Sequence, residues 1–328
     1  MTKPATAATA HPHTERNPGV PFDAAWFESI RVNRSAVERR AATLSGRRTV
    51  KKEWQAAWLL KAITCIDLTT LAGDDTEGNV TRLCAKAKSP LRQDLLEALG
   101  MGGEGIQTGA VCVYHNLIPY AKAALEGSGI PIAAVSTGFP AGKITLEDKL
   151  TEIEKSVAAG ATEIDIVISR DLVLQGKWKE LFDEVAACRK ACGEAHLKTI
   201  LATGEIPTYT LVAKASMVSM MAGSDFIKTS TGKESVNATL PVSLVMIRMI
   251  RDYHERTGFK VGFKPAGGIQ KAKQALDWLI LMKEELGNEW LCPERFRFGA
   301  SSLLGDIERQ LEHHVTGRYS AAFRHPMA

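Results

Sequence analysis

The chain lacks the sequence signals of several protein classes. No apolar run approaches the length needed to cross a membrane, and the first 19 residues contain no apolar block of the kind found in secretory signals. Neither the dinucleotide-binding pattern G-x-G-x-x-G nor the phosphate-loop pattern G-x-x-x-x-G-K-[ST] occurs. These absences argue against a membrane protein and against an open sheet of the dinucleotide-binding or phosphate-loop type.

Cysteine pairs, metal ligands and excess charge are also scarce. The six cysteines include no C-x-x-C pair, and we interpret them as reduced thiols of a cytoplasmic protein. His115 and His196 are the only histidines expected near strand ends, and they make no metal-ligand cluster. The net charge of +4 favours an anionic small molecule and does not predict nucleic-acid binding. We therefore expect neither a metal nor another cofactor.

The residue pattern divides the 328-residue chain into four parts. Residues 1–20 are small, polar and proline-containing, which predicts a disordered tail. Residues 21–60 have helical apolar spacing and form an N-terminal extension. Residues 61–316 repeat a unit of strand, polar break and helix, which we interpret as the catalytic domain, and residues 317–328 form a C-terminal tail.

Eight short apolar segments alternate with helical patterns in the repeating part. Eight is the strand count of a (β/α)8 TIM barrel, whereas a doubly wound sheet usually has fewer strands and a glycine-rich first turn. We therefore predict an α/β protein, a TIM barrel with an N-terminal helical extension. The predicted strands are residues 62–69, 109–114, 130–137, 163–169, 197–203, 225–231, 261–266 and 296–301.

Side-chain alternation along these strands places charged residues inside the barrel. In residues 163–169 three isoleucines share the face toward the helices, so Glu163, Asp165 and Val167 face inward. An inert barrel would have an aliphatic interior, and each buried ion costs several kcal/mol even after relaxation. The charges also lie late in their strands, toward the C-terminal mouth where barrel active sites are built. The inward set is Asp67, Asp165, Lys228, Lys264, Arg297 and, with less regular alternation, Lys198.

Two lysines of this set occur in similar phrases, DFIKTSTGK with Lys228 and VGFKPAGGIQ with Lys264. An ordinary lysine, with a pKa near 10.4, is neutral in only about one molecule in a thousand at pH 7.4. Burial and a second ammonium would lower that pKa, and a neutral amine can attack a carbonyl to form a Schiff base. With Asp165 to shuttle protons, this chemistry suits aldol cleavage and condensation. The spacing alone does not tell which lysine is the nucleophile.

Small residues follow the last three strands, where TIM barrels commonly bind phosphate through backbone N–H groups. We predict a phosphate site there, although the serines could instead cap the next helix and the glycines could only form turns. The residues are Thr231, Gly232 and Lys233 after strand six, Gly267 and Gly268 after strand seven, and Gly299, Ser301 and Ser302 in and after strand eight.

Five phrases, IDLTTL, EIDIV, DFIKTSTGK, GFKPAGGI and RFGASSLL, resemble in order those of the DeoC-type class I aldolases, the 2-deoxy-D-ribose-5-phosphate aldolase family, over about Ile66 to Leu304. The resemblance implies reversible cleavage of 2-deoxyribose 5-phosphate to glyceraldehyde 3-phosphate and acetaldehyde in deoxynucleoside breakdown. It further implies that Lys228 is the Schiff-base lysine, Lys264 the lysine that perturbs it, and Asp165 the proton relay.

The resemblance also implies roles for residues around the lysines. Asp67 and Thr69 fall on positions near the site, Cys112 on a cysteine that lines it, and the glycines and serines named above on the phosphate end. From the residues alone, Asp67 could equally be a structural bridge to either lysine, and Cys112 could be a packing thiol. Lys198 joins the substrate-binding set because of its predicted inward position.

The extension before Leu60 and the long connection 89–108 resemble the longer, animal-type branch of the family. Short members can end in a tyrosine that reaches over the site, whereas Tyr319 lies nine residues before the end, and its role stays open. The alternatives are another Schiff-base barrel enzyme, such as a transaldolase or keto-acid aldolase, and a silent barrel that binds a phosphosugar or a protein partner. Barrels of this kind often pair, which makes a homodimer a candidate assembly.

Overall fold

The computed structural model describes residues 15–325. Eight parallel strands form one sheet in the order β7-β6-β5-β4-β3-β2-β1-β8. Single bridges, Phe263 to Phe296 and Ala266 to Gly299, bring the two ends together, so the ring is nearly closed and the predicted TIM barrel is confirmed. The strands are β1 Ile66–Thr69, β2 Ala110–Tyr114, β3 Ile132–Ser136, β4 Glu163–Val167, β5 His196–Ile200, β6 Phe226–Lys228, β7 Gly262–Lys264 and β8 Phe298–Ala300.

Thirteen α-helices occur in the described residues. They are α1 Arg34–Ala42, α2 Leu44–Arg47, α3 Lys52–Thr64, α4 Glu77–Lys88, α5 Gln93–Ala98, α6 Ile118–Ala124, α7 Leu146–Ala159, α8 Arg170–Leu174, α9 Trp178–Ala191, α10 Tyr209–Met221, α11 Leu240–Thr257, α12 Ala272–Leu286 and α13 Leu303–Thr316. The first three precede β1, where α1 packs on α11 and α3 on α12 and α13. None of the described helices is both long and apolar enough to span a membrane.

Helix α7 shows how local sequence sets an element's limits. The side chain of Thr145 accepts a hydrogen bond from the backbone N–H of Asp148, which satisfies a donor that the first turn leaves free. Glu147 and Asp148 place negative charge at the positive end of the helix dipole. Gly160 ends the helix at φ +115°, a left-handed conformation that glycine adopts without steric cost.

The strand register brings the inward residues into layers. Lys228 lies opposite Lys264 across β6 and β7, and Asp165 lies opposite Lys198 across β4 and β5. The outward isoleucines of β4 belong to the main core beneath the helices. A smaller apolar cluster of Cys112, Ala133 and Val135 is separate from that core. The alternation predicted for these strands is therefore observed.

The first strand begins later than predicted. Residues 62–64 are the last turn of α3, and β1 starts only at Ile66. Ala62 and Ile63 are fully buried, and they continue the buried face of the helix. A short apolar run fits a helix end as well as a strand, which is why periodicity alone placed this boundary wrongly.

The prediction of a disordered tail over residues 1–20 is wrong for residues 15–20, and residues 1–14 lie outside the described part of the chain. Asn17 is buried, and its backbone N–H donates to Asp225 at 2.7 Å. Its side-chain amide donates to the carbonyls of Met220 and Ser224, both at 2.8 Å, and the Tyr253 hydroxyl donates to its oxygen at 3.0 Å. A polar segment is ordered here because specific partners satisfy it, which composition does not reveal.

The described part of the C-terminal tail also packs against the body of the protein. His325 is buried, and its Nε2 lies 2.7 Å from a carboxylate oxygen of Glu312 in α13. Glu312 also receives Arg92 and Arg324 at 3.3 and 3.1 Å. Residues 326–328 lie outside the described residues.

We predict that Asn17→Ala lowers the free energy of unfolding by about 2–4 kcal/mol, because it removes the side-chain partner of the Ser224 carbonyl and of the buried Tyr253 hydroxyl, and one of the bonds to the Met220 carbonyl. Urea denaturation measures this change. Asn116→Ala, on an exposed turn, is the matched control and should change stability by less than about 0.5 kcal/mol. Equal stability of Asn17→Ala and the control would contradict the anchoring role of Asn17.

Candidate active site

One carboxylate lies between the two lysines at the mouth of the barrel. The Nζ atoms of Lys228 and Lys264 both donate to Oδ2 of Asp165, at 2.7 and 2.8 Å. All three side chains are at most 3% exposed. The two amines come from the neighbouring strands β6 and β7 and the carboxylate from β4, two strands beyond β6, so the curvature of the barrel sets their separation.

A second charged layer lies deeper in the barrel, and Asp67 joins it to the first. Lys264 donates to Oδ2 of Asp67, which also accepts from Lys198 at 2.8 Å. Arg297 donates to Oδ1 of Asp67 and, at 2.9 Å, to Glu163. Lys198 also donates to Glu163. All six residues of the predicted inward set are thus brought together, and Asp67 is a bridge within the site.

Glu163 is a member of the cluster that the predicted set did not include. It is buried and bonded to both Lys198 and Arg297. Alternation placed it inside the barrel, two residues before Asp165, but it was not singled out among the charged residues of the interior.

The two lysines have opposite pKa shifts. Burial lowers the pKa of Lys228 below the ordinary lysine value, against the opposing effect of the Asp165 carboxylate, and the positive charge of Lys264 adds to the lowering. Burial also disfavours the charged form of Lys264, but Asp165 and Asp67 outweigh it and hold the pKa of Lys264 above its ordinary value. Lys264 is therefore the permanent cation, and Lys228 is the amine that loses its proton more easily.

The carboxylates of the cluster stay ionised. Burial disfavours their charge, but the neighbouring cations outweigh it: Lys228 and Lys264 lower the pKa of Asp165, and Lys198 and Lys264 lower the pKa of Asp67. The second oxygen of Asp165, Oδ1, is buried and has no hydrogen-bond partner among the described residues. Asp165 thus holds the two lysines with one oxygen, while the other lies 3.8 Å from Nζ of Lys198, too far for a hydrogen bond.

Thr69 and Cys112 lie beside the cluster. The Thr69 hydroxyl donates to the backbone carbonyl of Asp67 at 2.7 Å. Cys112 is buried in the small apolar cluster, and burial raises the pKa of its thiol, which therefore stays protonated. Cys112 is a neutral part of the wall rather than a nucleophile.

The breaks after β6, β7 and β8 meet at the mouth. A Cβ on Gly232 would lie 4.0 Å from Cα of Gly267, so these two loops are adjacent. Gly267 has φ +80°, and a Cβ there would fall 2.6 Å from Cγ of Asn237. A Cβ on Gly299 would fall 2.7 Å from Cβ of Ala266 and 3.3 Å from Cε of Lys264. Both positions require glycine, one for its backbone angle and the close approach of Asn237, the other for the close approach of Ala266.

The remaining residues of the predicted phosphate site are also at this end. Gly268 and Lys233 are exposed, as are Ser301 and Ser302 before α13. Ser302 occupies the N-cap position, but its side chain makes no capping hydrogen bond, so the capping alternative has no support for this hydroxyl. The N–H groups of Thr231 and Gly232 donate to the side chain of Glu234.

Four hydroxyls that the sequence did not single out as site residues are buried without a partner in the described chain. Ser219 lies within α10, and the other three are Ser136 at the end of β3, Thr203 after β5 and Ser230 after β6. An unpaired buried hydroxyl is costly, and three of them follow the C-terminal ends of strands where a substrate would bind. Only the structure identifies them, because serine and threonine are common at strand ends.

Comparison with known proteins agrees with this geometry. Residues 61–304 match the model of the DeoC/LacD family of aldolases. The deoxyribose-phosphate aldolase of Homo sapiens is 63% identical over 314 residues, which is 95% of this chain and 99% of that protein. That of Mus musculus is 63% identical over 312 residues, 94% of this chain and 98% of that protein. The chain belongs to the DeoC/LacD family of aldolases.

A solved structure agrees with the fold of this aldolase. The tetrameric deoxyribose phosphate aldolase of Aeropyrum pernix aligns with a TM-score of 0.59 at 22% identity, over 85% of this chain and 99% of that chain. At that identity the likeness concerns the barrel alone.

Two other features of the aldolase lie away from the lysines. A cavity of about 1030 Å³ opens where the strands begin, lined by Glu163, His196, Phe226 and Arg297 among others, and it does not include the lysines. Barrel chemistry occurs at the opposite end, so the charged cluster and not the cavity locates the site.

Tyr319 is 96% exposed and contacts His313. It follows α13, which runs about 20 Å away from the mouth, so in this structure Tyr319 does not cover the site.

We predict that Lys264→Leu raises the pH at which imine formation with a simple aldehyde is half-maximal, by about one unit or more. The variant removes a positive charge beside Lys228 and leaves Asp165 to stabilise the protonated amine, and both effects raise the pKa of Lys228. Borohydride trapping as a function of pH measures the shift.

Two controls accompany this variant. Lys264→Arg keeps the charge and should shift the profile less, and Lys273→Leu, at an exposed position in α12, should not shift it. An unchanged profile in Lys264→Leu would rule out the influence of Lys264 on Lys228.

Proposed function

We propose that this aldolase cleaves 2-deoxy-D-ribose 5-phosphate reversibly to glyceraldehyde 3-phosphate and acetaldehyde, through a Schiff base on Lys228. The observation that carries the assignment is the opposite shift of the two lysine pKa values around one shared carboxylate oxygen. Only a neutral amine is nucleophilic, and Lys228 is the lysine whose neutral form is favoured. The relatives named above support the choice of substrate.

In the proposed reaction, the neutral Nζ of Lys228 attacks the aldehyde carbon of the open-chain sugar, and loss of water gives the imine. The bond between the second and third carbons then breaks as the hydroxyl on the third carbon loses its proton. This step releases glyceraldehyde 3-phosphate and leaves an enamine on Lys228. A proton returns to the second carbon, and hydrolysis of the imine releases acetaldehyde and restores the lysine.

Asp165 is the group proposed to move these protons. Its Oδ2 is 2.7 Å from Nζ of Lys228, and its buried Oδ1 accepts no hydrogen bond from the described residues, so it can accept a proton from substrate or from water. Lys264 stays protonated throughout and stabilises the carboxylate. Asp67 and Lys198 are proposed to hold Lys264 in place from the deeper layer, through their bonds to one another.

The substrate phosphate is proposed to bind at the breaks after β6, β7 and β8, where backbone N–H groups and Lys233 meet. Ser136, Thr203 and Ser230 are proposed to bond with the sugar hydroxyls, which would satisfy their unpaired oxygens. Phosphate at one side of the mouth and lysine deeper in the barrel would fix the position of the carbonyl.

We further propose that the enzyme works in the cytoplasm as a homodimer. All six cysteines are free thiols in the structure, as expected for a reducing compartment. The tetramer of the Aeropyrum pernix relative is a precedent for assembly in the family.

Reduction with borohydride in the presence of 2-deoxyribose 5-phosphate is expected to attach the substrate-derived group to Lys228, as located by peptide mass mapping. Lys228→Arg should abolish the label, because the guanidinium does not lose its proton. A label on another lysine would contradict the nucleophile assignment, and no label in the wild-type protein would favour a barrel without catalysis.

A further inference from the structure

The loop after β6 forms an anion site that one of its own side chains occupies. The backbone N–H of Thr231 donates to both carboxylate oxygens of Glu234, at 3.0 and 3.1 Å. The N–H of Gly232 and the hydroxyl of Thr231 donate to Oε2, at 3.1 and 2.8 Å. These four hydrogen bonds come from neutral donors that converge on one carboxylate. Successive backbone N–H groups in such a turn bind anions in general.

The N–H groups of Thr231 and Gly232 and the Thr231 hydroxyl form a nest of donors. The position of this nest matters because the proposed substrate phosphate would bind there. Gly232 lies against Gly267 of the loop after β7, at the mouth of the barrel. Thr231 is only three residues beyond Lys228. The proposed substrate carries its phosphate at the end opposite its aldehyde, and the N–H groups of Thr231 and Gly232 belong to the proposed phosphate site. The carboxylate of Glu234 and the substrate phosphate therefore require the same donors.

Charge, the number of acceptor oxygens and tethering to the chain decide which of the two anions binds in the nest. A phosphate monoester carries a charge of about −1.5 to −2 at pH 7 and three acceptor oxygens, whereas a carboxylate carries one charge and two oxygens. The carboxylate, however, is tethered two or three residues from its donors, so its effective concentration is high. A tethered competitor of this kind weakens phosphate binding by a constant factor and does not affect a ligand that lacks phosphate.

We propose that Glu234 is a specificity-determining residue that fills the phosphate nest in the free enzyme and is displaced by the phosphate of the substrate. The inference rests on the proposed function. Its carboxylate keeps the donors of Thr231 and Gly232 oriented while the site is empty. Only an anion with more charge and more acceptor oxygens replaces it, so an unphosphorylated sugar leaves it in place. The alternative is that Glu234 only shapes the loop, in which case its loss would impair phosphate binding.

The test compares Glu234→Gln and Glu234→Ala with the wild-type protein on 2-deoxyribose 5-phosphate and on unphosphorylated 2-deoxyribose. We expect KM for the phosphorylated sugar to fall about fivefold, because an uncharged or absent competitor no longer opposes the phosphate. KM for the unphosphorylated sugar, and kcat for both, should stay within about twofold. A rise in KM for the phosphorylated sugar, or an equal change for both sugars, would overturn the proposal.

Glu147→Gln is the matched control. Glu147 is an exposed glutamate in the first turn of α7, at the same end of the barrel, so the variant removes one negative charge without touching the nest. It should leave the ratio of the two KM values within about twofold of wild type. A fivefold fall in this control would attribute the effect to general charge and overturn the specific role of Glu234.

Inorganic phosphate separates this proposal from the proposed function, because its binding needs no turnover. Titration followed by phosphorus NMR should show tighter phosphate binding in both Glu234 variants by a factor of about five. Unchanged or weaker binding would overturn the role of Glu234. If the wild-type protein cleaved neither sugar, the proposed function would fail, and the phosphate titration would still decide the role of Glu234.

Discussion

A single carboxylate oxygen, Oδ2 of Asp165, accepts hydrogen bonds from two buried lysines, and the chemistry of the barrel depends on this arrangement. Burial favours the neutral form of both amines, while the carboxylates favour the charged form. Lys264 has two carboxylates, Asp165 and Asp67, and keeps its proton. Lys228 has Asp165 alone and a cation beside it, so burial prevails and its pKa falls. The difference of one carboxylate partner separates the roles of two otherwise similar lysines.

The deeper layer makes that difference possible. Asp67 is held by Lys198 and Arg297 as well as Lys264, and Glu163 is held by Lys198 and Arg297. Every ion of the two charged layers has at least one partner of opposite sign, which offsets the cost of removing it from water. The small residues at the rim then leave room: Gly299 has no side chain to crowd Lys264, and Gly232 and Gly267 let two loops meet. Rigid charges in the interior and small residues at the mouth suit a site that holds an amine firmly and admits an anion.

Much of this could be predicted from the sequence, because a strand has a strict two-residue period. Alternation placed Asp67, Asp165, Lys228, Lys264 and Arg297 inside the barrel. The family resemblance implied the roles of Lys228, Lys264 and Asp165. The hydrogen-bond and ion-pair partners of a residue could not be predicted, because they depend on distances between segments that are far apart in the sequence. The anchoring bonds of Asn17, the unpaired hydroxyls of Ser136 and Thr203, and the bonds of Glu234 to the loop after β6 all depend on such distances. The inward position of Lys198 was less certain from the sequence, because Ile200 shares its parity. Its ion pairs with Asp67 and Glu163 show that it faces inward.

In the free enzyme, Lys228 loses its proton more easily than Lys264, and the two amines can be compared directly. Competitive acylation with acetic anhydride across a range of pH, followed by peptide mass mapping, measures the pKa of each reactive amine without substrate. We expect Lys228 to react with a midpoint below the ordinary lysine value of about 10.4, while Lys264 stays unmodified over the same range. A midpoint for Lys228 at or above the ordinary value, or reaction of Lys264 at the lower pH, would contradict this order of the two lysine pKa values.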